Sequence, residues 1–118
     1  MDLAERAAQT APDPILVVIL STAPDVLLAK RIAHVLVEEK LAACVQLTQP
    51  YLSIYEWGGE VQGGDEIGMI IKTSRAVANA AIDRLVQLHP YEVPEAIVVP
   101  VVGGHGDYLN WVSKQTQR

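Results

Sequence analysis

Residues 15–20 read Ile-Leu-Val-Val-Ile-Leu, an unbroken, β-branched apolar run with no polar residue at alternate positions. A strand that shows one face to water alternates apolar with polar side chains, so this run belongs to a strand buried on both faces. Residues 97–102, Ile-Val-Val-Pro-Val-Val, make the same demand near the other end of the chain. The sheet that holds these two strands needs cover above and below.

Between them the chain punctuates itself clearly. Pro14 and the segment Ser21-Thr22-Ala23-Pro24 bound the first run, and Thr22 and Asp25 have the spacing of a capping box with Pro24 in the first turn. The pattern predicts a helix over 24–40, with Leu28, Ile32 and Leu36 beside Ala29 and Ala33 as its apolar stripe. Residues 41–55 read as a long strand bent at Pro50, and Gly58-Gly59 between Trp57 and Glu60 is a two-residue hairpin turn. The returning strand passes through Gly63-Gly64, where the glycines predict a bulge, and continues through Met69-Ile70-Ile71 to Thr73. A second helix is expected over 74–88, ending near His89 because Pro90 disfavours helix in the residue before it. A fourth strand over 95–102, a glycine-rich connector around His105 and a short closing helix over 107–112 complete the chain.

The order βαββαβ predicts an α+β, ferredoxin-like domain with a long central hairpin and a short C-terminal helix. Right-handed crossovers put both main helices on one face of the antiparallel sheet. The second face then has at most one short helix to cover it, although the first and fourth strands are apolar on both sides. Soluble monomers seldom expose a large contiguous apolar patch, so another copy of the chain is the economical cover, and a homo-oligomer is expected. Residues 15–118 are assigned to this single domain, since 118 residues is the size of one domain. Residues 1–14 are expected to form a flexible extension.

Composition narrows the partners. Half the residues are hydrophobic and the formal net charge is -5, with Lys and Arg scattered singly or as the pair Lys30-Arg31. No basic stripe follows a phosphate backbone, so nucleic acid is not an expected partner. No apolar stretch approaches the length of a membrane span, so no membrane is expected either. The single cysteine, Cys44, cannot form an internal disulfide and sits in an apolar run, which favours plain packing in a reducing, cytoplasmic setting.

The segments Ser-Thr-Ala-Pro-Asp at 21–25, Leu-Val-Glu-Glu-Lys-Leu-Ala-Ala-Cys-Val at 36–45, Ser-Ile-Tyr-Glu-Trp at 53–57, Met-Ile-Ile-Lys-Thr at 69–73, His-Pro-Tyr-Glu-Val-Pro-Glu at 89–95 and Asp-Tyr-Leu-Asn-Trp at 107–111 resemble, in order and spacing, the CutA divalent-cation tolerance family. The resemblance spans roughly residues 15 to 112. It implies a tight homotrimer shaped like the PII signalling proteins, with the hairpin around Trp57 to Glu60 joining neighbouring subunits and clefts between them open to a metal ion or small ligand. It implies a binding module in the response to metal ions, not an enzyme. Some family members carry a cysteine at the position of Ser21 and a second histidine at that of Leu88. A hydroxyl and a leucine cannot replace those donors, so a copper site does not carry over as it stands.

The residues themselves single out the loop 89–95. Two prolines fix φ in a short segment that displays His89, Tyr91, Glu92 and Glu95, a pre-organised arrangement for a ligand. The plain alternative is that Pro90 ends the helix, His89 bonds its last carbonyls and the glutamates are solvated. Glu66 is unusual beside Ile67, because a carboxylate in a central strand must be solvated, paired or used. His89 and Glu66 are therefore the metal-ligand candidates, and Tyr91, Glu92 and Glu95 the ligand-binding ones. One imidazole with oxygen donors suits a weakly held divalent ion such as copper or zinc. His34 with Glu38 reads as a helix-surface pair, His105 as part of a connector, and Tyr55 and Trp57 as fillers of a subunit seam.

No catalytic triad, phosphate-cradling loop or zinc spacing is present in the sequence, so no residue is assigned a catalytic role. Two other function classes stay open at this point. One is a PII-like regulator acting through partner proteins, and the other a minor hydrolase or isomerase using His89.

Overall fold

The computed structural model describes Asp2 and residues 15–117. The extension expected over residues 1–14 lies, Asp2 apart, outside the described residues. Seven elements follow one another: β1 (Leu16–Ala23), α1 (Val26–Glu38), β2 (Cys44–Trp57), β3 (Glu60–Ser74), α2 (Arg75–Leu88), β4 (Ile97–Pro100) and α3 (Gly106–Gln115). The strands form one antiparallel sheet in the order β2-β3-β1-β4, the ferredoxin-like arrangement expected from the sequence.

Helix α1 starts where a side chain can satisfy its orphan amides. Asp25 is the N-cap and accepts a hydrogen bond from the Leu28 N–H at 2.8 Å. The capping box expected at Thr22 does not form, because Thr22 is still in β1 and buried. The helix ends as Lys40 turns into the left-handed region at φ 60°, which lets the Leu41 and Ala42 N–H groups return to the Leu36 carbonyl. Ala29, Ile32 and Leu36 from α1, with Ala78, Ala81 and Leu85 from α2, cover one face of the sheet. Val17 and Ile19 of β1 and Ile67, Met69 and Ile71 of β3 meet them. Alanines at three of the six helical positions keep both helices close to the strands. The Thr73 hydroxyl, buried deep in this layer, donates to the Leu41 carbonyl at 2.6 Å.

Among the described residues, the opposite face is covered only at one end. Val112 of α3 packs with Leu16 and Ala43, while Val18, Leu20 and Ile70 remain half-buried and Ile97 and Val99 of β4 are exposed. The apolar surplus read from residues 15–20 and 97–102 thus survives folding as an open apolar face.

The hairpin is the second unsatisfied feature. β1 pairs with β3 only from Leu16↔Ser74 to Ala23↔Ile67, so residues 60–66 of β3 have β2 as their sole described strand partner. The result is a projecting two-stranded ribbon, closed at Gly58 and Gly59, whose φ values of 64° and 82° suit glycine. Leu52, Ile54 and Val61 on this ribbon are 62%, 70% and 75% exposed. An isolated two-stranded ribbon is marginal in water, so this one gains from further contacts.

Two further local expectations are corrected. No bulge forms at Gly63-Gly64, where the pairs Ser53↔Gly64 and Ile54↔Gly63 run without a break. The irregularity lies between Leu47 and Pro50, and there the Thr48 hydroxyl accepts the Gly68 N–H at 2.8 Å in place of a ladder carbonyl. β4 is confined to Ile97–Pro100, shorter than the 95–102 expected, because β1 pairs only those four residues.

Candidate ligand cleft

The loop after α2 is fastened to β1 by a buried imidazole. Pro90 ends the helix and leaves His89 extended, at φ -88° and ψ 137°. The ring turns inward and is 8% exposed. His89 Nε2 lies 2.7 Å from the Thr22 carbonyl, which can only accept, so Nε2 carries the proton. Nδ1 is then unprotonated and accepts the Tyr91 N–H at 3.2 Å. Both nitrogens of a neutral ring are used inside the chain.

This strut aims Tyr91. Its ring leans on the imidazole with centroids 4.6 Å apart, and its hydroxyl donates to Glu66 Oε2 at 3.2 Å. Glu66 lies opposite Tyr51 in the β2–β3 register, on the face of the sheet away from α1 and α2. Glu95, at the end of the loop, comes close enough to Glu66 for the two carboxylates to repel. Burial first, and then the Glu66 charge, push the Glu95 carboxyl above the usual glutamate range. Burial, followed by the same two carboxylates, likewise raises the Tyr51 phenol. The Tyr91 phenol is raised by burial and then by Glu66.

Between loop and hairpin Glu66, Tyr91 and Glu95 border a cleft of about 670 Å3. Tyr55 and Trp57 form its wall on the hairpin side, Tyr91, Glu92 and Glu95 its wall on the loop side, and Glu66 lies between. The cleft is therefore acidic and aromatic. Of the residues singled out in the sequence, Glu66, Tyr91, Glu92 and Glu95 come together here, and His89 supports them from behind without lining the cleft.

That placement bears on metal binding. A ring that donates from Nε2 and accepts at Nδ1 has no lone pair left for a metal, and it reaches Glu66 only through Tyr91. Among the described residues no three of His, Cys, Asp and Glu gather as a metal-binding group. The described donor set thus does not fit a dedicated metal centre within one chain. His34 and His105 are exposed on α1 and at the start of α3, and Cys44 is half-buried at the start of β2.

Two contributors were not found by reading the sequence. Tyr51 faces the carboxylates only because the irregularity at residues 48 and 49 shifts the register by which it meets Glu66. Thr22 contributes a backbone carbonyl, which leaves no trace in residue type.

The comparisons with known proteins agree with this architecture. The sequence profile of the CutA1 divalent ion tolerance protein family matches residues 17–115. The chain belongs to that family. A divalent-cation tolerance protein CutA from Pectobacterium atrosepticum is 45% identical over 97 residues, 82% of this chain and 88% of that protein. The human protein CutA is 44% identical over 96 residues, 81% of this chain, and the chain spans only 54% of that longer relative. The crystal structure of the stable protein CutA1 from Shewanella sp. SIB1 superposes with a TM-score of 0.87 at 42% identity, covering 90% of this chain and 99% of that one. The family's name and that of the Pectobacterium relative describe divalent-ion tolerance, and none of these names carries an enzymatic activity. No described helix is long and apolar enough to cross a membrane.

Proposed function

We propose that this family member is a cytoplasmic, homotrimeric module that binds a small ligand or a divalent cation in clefts completed between its subunits. The observation that carries the reading is that the acidic cleft is built on one face of a projecting hairpin whose other apolar side chains are largely exposed. A neighbouring copy that covers Leu52, Ile54 and Val61 also orders Tyr55 and Trp57 at the cleft wall. The open apolar face of β1 and β4 supports the same assembly. Divalent ions such as copper or zinc meet carboxylate oxygens in this reading, with His89 as the strut that holds the loop, so affinity is modest.

Light scattering after size exclusion, followed by calorimetric titration, tests the proposal. A trimer mass at low micromolar concentration and saturable heat that falls in Glu66→Gln are expected. A monomer mass at that concentration, or heat from a ligand unchanged by Glu66→Gln, sinks it.

A further inference from the structure

The cleft carries negative charge that no described residue lining it neutralises. Glu66 and Glu95 repel one another, and Glu92 adds a third carboxylate to the lining. No lysine or arginine is among the described residues that line it. The ion pair of Arg84 with Glu39 lies elsewhere, joining α2 to the end of α1. Tyr91 donates to Oε2 of Glu66, and a ligand head in the cleft can donate to Oε1.

Size and wall chemistry narrow the occupant. A bare ion fills a small fraction of about 670 Å3, whereas clefts of this volume suit organic molecules. An anion is repelled by three carboxylates. A neutral molecule leaves the charge uncompensated. The rings of Tyr55 and Trp57 offer π faces as well as apolar area, which suit the body of a ligand and attract a cationic head.

We infer that the cleft takes an organic cation, a protonated amine whose head lies between Glu66 and Glu95 and whose apolar or aromatic body rests against Tyr55 and Trp57. This rests on the proposal that the cleft is a ligand site, and it names the chemical class of that ligand. The raised Glu95 carboxyl is consistent with it, because a cation between the two carboxylates removes the repulsion that disfavours their joint ionisation. Tyr91 is a positioning residue here: through His89 it fixes the Glu66 carboxylate toward the cleft.

The test is calorimetric titration of the intact assembly at pH 7.5 with phenethylamine, phenethyl alcohol, phenylacetate and zinc chloride. Wild type is compared with the Glu66→Gln/Glu95→Gln double variant and with Trp57→Ala, each first shown by circular dichroism and light scattering to keep its fold and mass. Phenethylamine is expected to bind about ten-fold tighter than the isosteric alcohol, and phenylacetate not measurably. The double variant loses that preference, and Trp57→Ala weakens amine and alcohol alike. Amine binding no tighter than alcohol binding, or a preference that survives in the double variant, overturns the cation inference and leaves the ligand-cleft reading standing. Absence of saturable heat from all four probes overturns both.

Discussion

Replacing His89 by Ala tests whether the imidazole is a strut. The substitution removes two hydrogen bonds, Nε2–H to the Thr22 carbonyl at 2.7 Å and the Tyr91 N–H to Nδ1 at 3.2 Å. Each is worth about 1 kcal/mol net, and a carbonyl left unpaired in a buried place adds about 1–3 kcal/mol unless water enters. The lost ring contact with Tyr91 and the small cavity act in the same direction. A destabilisation of about 2–4 kcal/mol is expected, measured by urea denaturation at fixed protein concentration so that assembly does not confound the comparison. His89→Gln is the informative control, since its amide can still donate toward Thr22 but cannot reproduce the acceptor for Tyr91. It should recover roughly half the loss. A loss below about 0.5 kcal/mol in His89→Ala, or no advantage of Gln over Ala, refutes the strut and returns both ring nitrogens to candidacy as metal donors.

Four further outcomes follow from single contacts. The Ser21 hydroxyl is buried with no hydrogen-bond partner among the described residues, so Ser21→Ala should leave thermal stability unchanged or raise it by up to about 1 kcal/mol; a clear loss would reveal an ordered partner. Thr48→Val keeps the shape of the side chain but orphans the Gly68 N–H, and should lower denaturation stability by about 1–2 kcal/mol, with no loss counting against the side-chain substitute at the strand irregularity. Lys40→Gly relieves a left-handed residue at the end of α1 and should raise the melting temperature, worth up to about 1 kcal/mol; a decrease would mean that the lysine side chain matters more than its backbone. Glu95 has a raised carboxyl, so its contribution favours the fold below the unfolded value of about 4.3 and is lost as pH rises through the native value. Glu95→Gln should therefore gain stability over wild type at neutral pH, and the gain should vanish in melts near pH 4 or below; a pH-independent difference sinks this account.

What the sequence disclosed well is what short-range chemistry decides. The stripe of Ala29, Ile32 and Leu36 needs only helical spacing to identify it, and the Gly58-Gly59 turn needs only the φ values that glycine alone adopts freely. The boundary of α1 was misplaced for a similar local reason. Thr22 and Asp25 both suit a cap, and the choice fell to Asp25 because β1 keeps pairing with β3 as far as Ala23↔Ile67. Strand pairing is tertiary, and it overrode a legitimate local signal.

The cleft shows where such reading stops. That the loop 89–95 and Glu66 meet was inferred from unusual residues in unusual places, a carboxylate in a strand and an imidazole between a helix and a proline. Their division of labour depends on distances no spacing encodes. A histidine beside carboxylates looks like a metal donor in sequence, yet the Thr22 carbonyl, 67 residues away, fixes its tautomer and turns it inward. The register is equally hidden, because moving the strand irregularity from Gly63-Gly64 to residues 48 and 49 decides which face of the hairpin each ring occupies. With the shift placed before Pro50, Tyr51, Tyr55 and Trp57 share a face with Glu66, and the ribbon supplies an aromatic wall to an acidic centre. Without that one-residue shift Glu66 would lie opposite Pro50, on the face of Leu52 and Ile54, and the three rings would turn to the opposite face. The identity of the site thus depends on the register shift before Pro50, where the Thr48 hydroxyl takes the Gly68 N–H.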